Sequence, residues 1–219
     1  MKLHVAVVVC LLVLGAFAGP ASATLYTLND DNCTGGCGGG PFGTVEVTQN
    51  GANTVHVVVT LEPDVLGFAV GGNEKLAFWF NIAGSPTIKI PNPPSGWALY
   101  NDGVAGQRQI DGYGSFDYGL AATGHGASNP LPSPLIFDVQ APGLTFGMFA
   151  DLSTEPPNGY ESAFFAAHIA VSNTSGQTVT GPVGATGPGS EVPEPATIFL
   201  FGSVLLGAGW GVRRRFDSK

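Results

Sequence analysis

The segment from residue 111 to residue 119 carries the residue types best suited to bind a ligand. Its sequence, DGYGSFDYG, alternates carboxylates and aromatic rings with glycines. Asp111 and Asp117 could coordinate Ca²⁺ through oxygen, and Tyr113 and Tyr118 could stack on sugars. A second group of acidic and amide oxygens lies at residues 29–32. The alternative interpretation is a glycine-rich β-meander whose aromatic rings belong to the core.

Motifs that would indicate catalysis are weak or missing. The run GGGPFG at residues 38–43 formally fits G-x-G-x-x-G, but a cysteine loop precedes it, where a dinucleotide site needs a strand. G-x-S-x-G and H-E-x-x-H do not occur in the sequence. The three histidines after residue 23 are far apart in the sequence: His56, His125 and His168. Five glutamates have no neighbouring residues that would mark them as catalytic: Glu46, Glu62, Glu74, Glu155 and Glu161. We therefore predict no catalytic residue, no cofactor and no metal, with Ca²⁺ as the alternative.

Composition narrows the class of protein. The 219 residues include 33 Gly and 17 Pro, and only 11% are charged, which excludes a coiled coil or a helical bundle. Acids outnumber bases by 16 to 8, so the chain lacks the basic surface of a nucleic-acid binder. A hydrophobic content of 44% argues against global disorder.

The first 23 residues have the pattern of a secretory signal peptide. Lys2 supplies the positive charge, Val5–Phe17 is almost wholly apolar, and Ala21-Ser22-Ala23 fits the small-residue rule for cleavage. We expect cleavage after Ala23, which makes Thr24 the first residue of the mature chain. A lipid-modified Cys10 and an uncleaved membrane helix are the alternatives. They are disfavoured because valines precede Cys10 and because the apolar run is short.

The other end of the chain combines three features in a fixed order. Val192-Pro193-Glu194-Pro195 is followed by an uncharged segment, residues 196–212, and then by Arg213, Arg214 and Arg215. Helical residues in that segment would span about 26 Å, which is near the lower limit for a bilayer core. The positive-inside rule places the arginines, which stop translocation, in the cytoplasm and the upstream chain outside.

This order resembles the PEP-CTERM sorting signal of Gram-negative bacteria. The resemblance covers residues 192 to about 216. It implies that an exosortase, an integral membrane enzyme, recognises Pro193, Glu194 and Pro195 and cleaves near them. It also implies transfer to the cell surface or release, in species that make extracellular polysaccharide. The stretches FGTVEVTQNGANTVHVVV, GSFDYG and FFAAHIA resemble the ectodomains that often accompany this signal, which implies a β fold and adds no site.

The mature region has the character of an exported acidic domain. Between residues 24 and 195 three bases oppose fifteen acids, a net charge of −12, which favours solubility and disfavours binding to anionic membranes. Its two cysteines, Cys33 and Cys37, are expected to form a disulfide in an oxidising compartment. Half of a zinc site is the alternative.

Hydrophobic periodicity predicts strands. Residues 44–48 and 53–61 alternate apolar and polar residues on either side of a turn at residues 50–53. Further strands are predicted at residues 25–28, 76–82, 87–90, 97–100, 135–139, 144–149 and 162–171. We predict an all-β fold, an antiparallel β-sandwich of jelly-roll-like type, with one C-terminal transmembrane helix.

The predicted organisation has four parts. Residues 1–23 are the signal peptide, 24–172 the β-sandwich, 173–191 a flexible linker rich in Gly, Pro and Thr, and 192–219 the sorting signal. The sequence thus favours a non-enzymatic exported protein of the cell surface or extracellular matrix, associated with exopolysaccharide and biofilm. The alternatives are a carbohydrate-binding module, which would use Trp97, Tyr100, Tyr113 and Tyr118, and a secreted hydrolase.

Overall fold

Short antiparallel strands make up most of the structure. The computed structural model describes residues 23–71, 75–173 and 175–192, which belong to one compact unit. Their strands are β1 (Ala23–Leu28), β2 (Asp30–Asp31), β3 (Gly43–Gln49), β4 (Thr54–Leu61), β5 (Val65–Phe68), β6 (Leu76–Phe80), β7 (Trp97–Leu99), β8 (Arg108–Ile110), β9 (Gly114–Phe116), β10 (Tyr118–Ala122), β11 (Leu135–Gln140), β12 (Phe165–Ser172), β13 (Thr178–Ala185) and β14 (Ser190–Val192). Two 3₁₀ helices occur in the same residues, Tyr100–Gly103 and Phe146–Phe149. No helix in this part of the chain has the length and apolar character needed to cross a bilayer.

The alternating sequences form a five-stranded sheet in the order β11-β4-β3-β1-β14. In β4, Val55, Val57 and Val59 are fully buried while the residues between them are partly exposed. This is the period of two that places one face of a strand in the core. At the predicted turn the backbone N–H of Asn50 donates to the carbonyl of Thr54 at 2.8 Å. The hairpin expected from the sequence is therefore confirmed.

A second, seven-stranded sheet has the order β2-β13-β12-β6-β10-β7, and β5 also pairs with β12. The two large sheets face each other across one core. The ring centroids of Phe78 and Phe137, from opposite sheets, lie 6.1 Å apart, and those of Tyr26 and Phe165 lie 4.8 Å apart. The predicted all-β, antiparallel architecture is confirmed. A jelly roll has eight strands, so the match to that type is limited to the two facing antiparallel layers.

The outer face of the seven-stranded sheet carries a second core. The hairpin of β8 and β9 lies over this face, and the second core consists of Leu76, Trp79, Ile110, Tyr113, Phe116, Ala163 and Ala166. Strand β6 is consequently buried at all of its residues, and β12 at nearly all. A strand covered on both faces reads as a continuous apolar run rather than an alternating one. This explains the sequence LAFWF of β6.

The prediction of a flexible linker at residues 173–191 is wrong for most of that segment. Strand β13 pairs with β12 along all eight of its residues, and residues 181–185 are buried. Gly184 is needed here for close packing, because a Cβ atom at this position would lie 2.5 Å from Cε1 of Tyr113. The glycines that suggested a tether thus allow a strand to approach a buried aromatic ring.

Other local predictions also need correction. Residues 87–90 form no strand and contribute a single bridge between Lys89 and Gln140. Residues 144–149 end in a 3₁₀ helix instead of a strand. The short strands β2, β5, β8, β9, β10 and β14 and the eight-residue strand β13 were not predicted from the sequence.

The shared core predicts unequal effects of substitution at two adjacent residues of β11. Phe137→Ala should lower the free energy of unfolding by about 3–5 kcal/mol, because the ring packs against Phe78 and Phe80 of the opposite sheet. Ile136→Ala is the matched control, since this side chain is 43% exposed, and should change it by less than about 1 kcal/mol. Urea denaturation measures both values. Equal effects would contradict the two-layer core.

The packing of β13 predicts that alanine substitution has unequal effects on stability at two glycines, Gly184 and Gly187. Gly184→Ala should destabilise the protein by about 1–3 kcal/mol, because the added methyl group overpacks against the buried ring of Tyr113. Gly187→Ala is the control, since no atom lies within 4 Å of a Cβ there. Thermal unfolding followed by circular dichroism distinguishes the two. If both variants melt like the wild type, residues 178–185 behave as the flexible linker after all.

Candidate functional site

The described residues next in sequence to the two predicted processing points are paired at one edge of the five-stranded sheet. Strand β14 is the edge strand and pairs with β1 so that Ala23 is opposite Val192 and Thr24 is opposite Glu191. Pro193, Glu194, Pro195 and the arginines at 213–215 lie outside the described residues, as do the predicted signal peptide up to residue 22 and the predicted membrane helix. The proline motif therefore follows directly, in sequence, on the last paired residue of the sheet.

The two cysteines form the predicted disulfide, with their Cα atoms 5.4 Å apart. Asp31 holds the loop that they close. One carboxylate oxygen accepts a hydrogen bond from the backbone N–H of Cys33 at 2.9 Å, and the other accepts one from Cys37 at 2.8 Å. These three residues are the one group of three potential metal ligands among the described residues. The sulfur atoms are bonded to each other, and the Asp31 carboxylate is hydrogen-bonded to the loop between them. This group therefore stabilises the structure of the loop.

Burial contradicts the idea that Tyr113 and Tyr118 stack on a sugar. Their exposed fractions are 0% and 2%. The Tyr113 hydroxyl donates to the carbonyl of Asp30 at 2.8 Å, and the Tyr118 hydroxyl donates to the carbonyl of Pro86. Burial raises the pKa of both hydroxyls above the usual range of tyrosine. The two side chains belong to the core, which was the alternative interpretation of this segment.

The other aromatic and acidic candidates are dispersed. Trp97 is buried, with its ring centroid 5.2 Å from that of Phe68 in an edge-to-face contact. Tyr100 is partly exposed, and the Arg108 guanidinium lies 4.8 Å from its ring centroid. Asp117 accepts a hydrogen bond from the Ser85 hydroxyl at 2.6 Å. Asp111 is exposed and does not belong to the group of three potential metal ligands described above.

Each of the three histidines lies in a different environment. His56 on β4 contacts Asp138 on β11, with 2.7 Å between Nδ1 and the carboxylate oxygen, and both side chains are more than one-third exposed. His125 lies in a loop, where Nδ1 is 3.0 Å from the carbonyl oxygen of Asn129. His168 lies on β12 and lines a small cavity beside the second core.

This cavity, which we call the Trp79 cavity, has a volume of about 70 Å³ and is lined by Gly71, Trp79, Gln109, Ile110, Asp111, His168 and Pro182. Two of its lining residues carry a nitrogen atom that is itself fully buried and has no hydrogen-bond partner among the described residues, Nε1 of Trp79 and Nδ1 of His168. Burial lowers the pKa of His168, while a hydrogen bond with the backbone of Ala69 and the charge of Asp111 oppose this shift. The imidazole is therefore neutral at neutral pH. Asp111 is the single carboxylate among the lining residues.

Sequence reasoning placed His168 on a face of a sheet and did not single out Trp79. The structure brings them together from strands β6 and β12, with Asp111 arriving from the end of β8. The only local signal for this site is Trp79 itself, because a large ring with a polar N–H in a continuous apolar strand requires a partner for that N–H.

The described residues thus form an all-β domain of antiparallel sheets, with a candidate site in the Trp79 cavity. A family model of the PEP-CTERM protein-sorting motif matches residues 191–215. The chain therefore carries a PEP-CTERM sorting motif, which indicates an exosortase substrate and implies export with C-terminal sorting to the cell surface. No curated protein and no solved structure gives a significant match to the chain.

The partly buried His168 predicts that the stability of the protein depends on pH. In the unfolded chain this histidine protonates below about pH 6.5, whereas burial resists protonation in the folded protein. The unfolded state then binds more protons, so the free energy of unfolding falls as the pH drops below that value. His168→Gln should show a shallower loss between about pH 7 and about pH 5. The matched control, His125→Gln in the loop, should keep the wild-type slope in urea titrations at each pH. Identical slopes for all three proteins would contradict the prediction.

Proposed function

We propose that this chain is a non-enzymatic exported protein that exosortase processing delivers to the cell surface or the extracellular matrix, where it associates with exopolysaccharide in a biofilm. The observation that carries the proposal is the sorting motif at residues 191–215. Residues 1–23 act as the signal peptide, and residues 196–212 hold the chain transiently in the inner membrane. The arginines at 213–215 remain in the cytoplasm. After cleavage near Pro193-Glu194-Pro195 the acidic domain stays outside.

The positions of the two predicted cleavage points relative to β1 and β14 support this proposal. Cleavage after Ala23 removes one residue of β1 and leaves Thr24 paired with Glu191 and Leu25 paired with Ser190. Cleavage near the proline motif falls beyond Val192, the last residue of β14. Both cuts therefore lie at the ends of strands, and the core residues Tyr26 and Leu28 are retained.

The structural roles of several polar side chains support a non-enzymatic domain. The Ser153 hydroxyl donates to the carbonyl of Tyr113 at 2.5 Å and accepts from the backbone N–H of Ala163 at 2.9 Å. Asn81 donates to the carbonyl of Leu152 and accepts from the backbone N–H of Asp117. A hydrolase would need a pair of carboxylates or a nucleophile beside a base, whereas the Trp79 cavity has one carboxylate among its lining residues.

A carbohydrate-binding module is the second candidate function. The exposed aromatic platform expected from Trp97, Tyr113 and Tyr118 cannot support it, since all three rings are buried. The specific observation in its favour is the Trp79 cavity, whose lining includes the polar side chains of Gln109, Asp111 and His168.

Processing can be tested in cells that contain an exosortase. The wild-type protein should reach the surface or medium with a C-terminus near residue 195, as measured by mass spectrometry of the intact product. Replacing Pro193, Glu194 and Pro195 together by alanine should abolish this cleavage, because the recognition element is lost. Asp217→Asn, beyond the arginines, is the control and should be processed normally. An exported wild-type product that retains Arg213–Arg215 would refute the proposal.

A further inference from the structure

We propose that strand β14 is part of the segment that the exosortase binds, and that the enzyme binds this segment only after β14 has separated from β1. The folded domain then has two states. In the closed state β14 is paired and hidden from the enzyme, and in the released state it is accessible. The inference rests on the proposed function, because it takes the exosortase as the partner, and it adds the conformation in which the chain is recognised.

The first argument is that the sorting motif and the folded domain share residues. The family model of the motif begins at residue 191, whereas β14 extends over Ser190–Val192. In the ladder with β1, Glu191 is opposite Thr24 and Val192 is opposite Ala23. An enzyme cleft that encloses an extended segment contacts both of its edges through the main chain, and one edge of β14 is occupied by β1. The shared residues can therefore enter such a cleft only after they leave the sheet.

The second argument is the reach of the chain. Residues 193–195 separate Val192 from the uncharged segment that begins at residue 196, and three extended residues span only about 10 Å. The unit from residue 22 to residue 192 corresponds to a radius of gyration of about 15 Å. A chain this short holds that bulk close to the cleavage point. Release of residues 186–192 extends the reach to about 33 Å, which leaves room for an enzyme.

The third argument is that β14 can leave without disturbing the two cores. Among the described residues, neither core contains a residue beyond Ala185. Strand β14 pairs with one other strand, and residues 186–189, which precede it, make no backbone–backbone hydrogen bond in this part of the chain. Strand β1 keeps its pairing with β3 over six residues. Release of β14 therefore leaves both sheets in place.

The fourth argument is that the closed state is a specific packing arrangement. A Cβ atom at position 189 would lie 2.3 Å from Cγ2 of Thr24 and 2.9 Å from Cε1 of Tyr26. Gly189 thus allows the segment that leads into β14 to lie directly against β1. A side chain at this position would disfavour the closed state, because Tyr26 is part of the first core and cannot move aside freely.

The main experiment holds β14 on β1 with a disulfide. Leu25 and Ser190 are opposite each other, and opposed residues of an antiparallel pair have Cα atoms about 4.5–5.5 Å apart, a distance that a disulfide bridges. Full-length protein with Leu25→Cys and Ser190→Cys is exported and oxidised before expression of the exosortase is induced. Mass spectrometry of the intact, non-reduced protein then measures the state of the introduced bond and the position of the C-terminus.

We expect the oxidised variant to be cleaved at least about tenfold more slowly than the wild type, because only the released state is bound. Reduction with a water-soluble phosphine should restore the rate of the wild type treated in the same way. The matched control is Thr44→Cys with Thr60→Cys, an opposed pair that links β3 to β4 and leaves β14 free. This control should be cleaved at the wild-type rate in both redox states.

A second variant shifts the equilibrium in the opposite direction. Gly189→Ala should be cleaved at least about threefold faster than the wild type, because the added methyl group disfavours the closed state and raises the population of the released one. Gly187→Ala is the control, since no atom lies within 4 Å of a Cβ there, and it should be cleaved at the wild-type rate.

Cleavage of the oxidised Leu25→Cys, Ser190→Cys variant at the wild-type rate would overturn the inference and leave the proposed function intact. Slow cleavage that reduction does not restore would overturn it as well, because the substitutions and not the bond would then be responsible. If the wild type itself is not cleaved, the proposed function fails, and amide hydrogen exchange tests the released state separately. Exchange at residues 190–192 that is as slow as in β13 would overturn the inference.

Discussion

The burial of one sheet on both faces is the constraint on which the rest of the structure depends. Strand β6 sends Phe78 and Phe80 into the core shared with the five-stranded sheet, and it sends Trp79 into the second core on the opposite side. The chain must therefore supply a third layer, which it does with the β8–β9 hairpin and with Ala163. This layer buries Tyr113, creates the Trp79 cavity at its border and requires a glycine where β13 passes the Tyr113 ring.

An element can be predicted from the sequence when its own residues show the pattern of its burial, and it cannot when its structure depends on distant segments. Strands β3, β4 and β11 face solvent on one side, so their alternating residues are visible in the sequence. Strand β13 has no such pattern, because both of its faces are covered and its glycines and proline serve close packing. Strand β9 pairs over only three residues with the neighbouring β8, and β10 pairs with β6 and β7, which are distant in the chain. Pairing at long range leaves no periodic signal in a stretch this short.

The candidate site could likewise be predicted only where it depends on residues that are neighbours in the sequence. The sequence correctly indicated a disulfide between Cys33 and Cys37 and a sorting motif at the C-terminus, since both depend on neighbouring residues. The exposure of Tyr113 and Tyr118 could not be read from the sequence, because it depends on which strands cover them. The Trp79 cavity gathers residues from β6, β8, β12 and β13, and no spacing along the chain relates these four strands to one another. Only the register of the sheet brings a tryptophan N–H and an imidazole to the same wall.

The pairing of β1 with β14 has a mechanical consequence. The ladder is antiparallel, and its last pair, Ala23 with Val192, lies next in sequence to the sorting motif. Tension applied through residue 193 would therefore open the β14 ladder from its outer end, one pair after another, as a zipper opens. Peeling requires much less force than sliding all the hydrogen bonds at once. A domain pulled by its anchor before that anchor is removed would yield first at this strand and would leave the aromatic core intact.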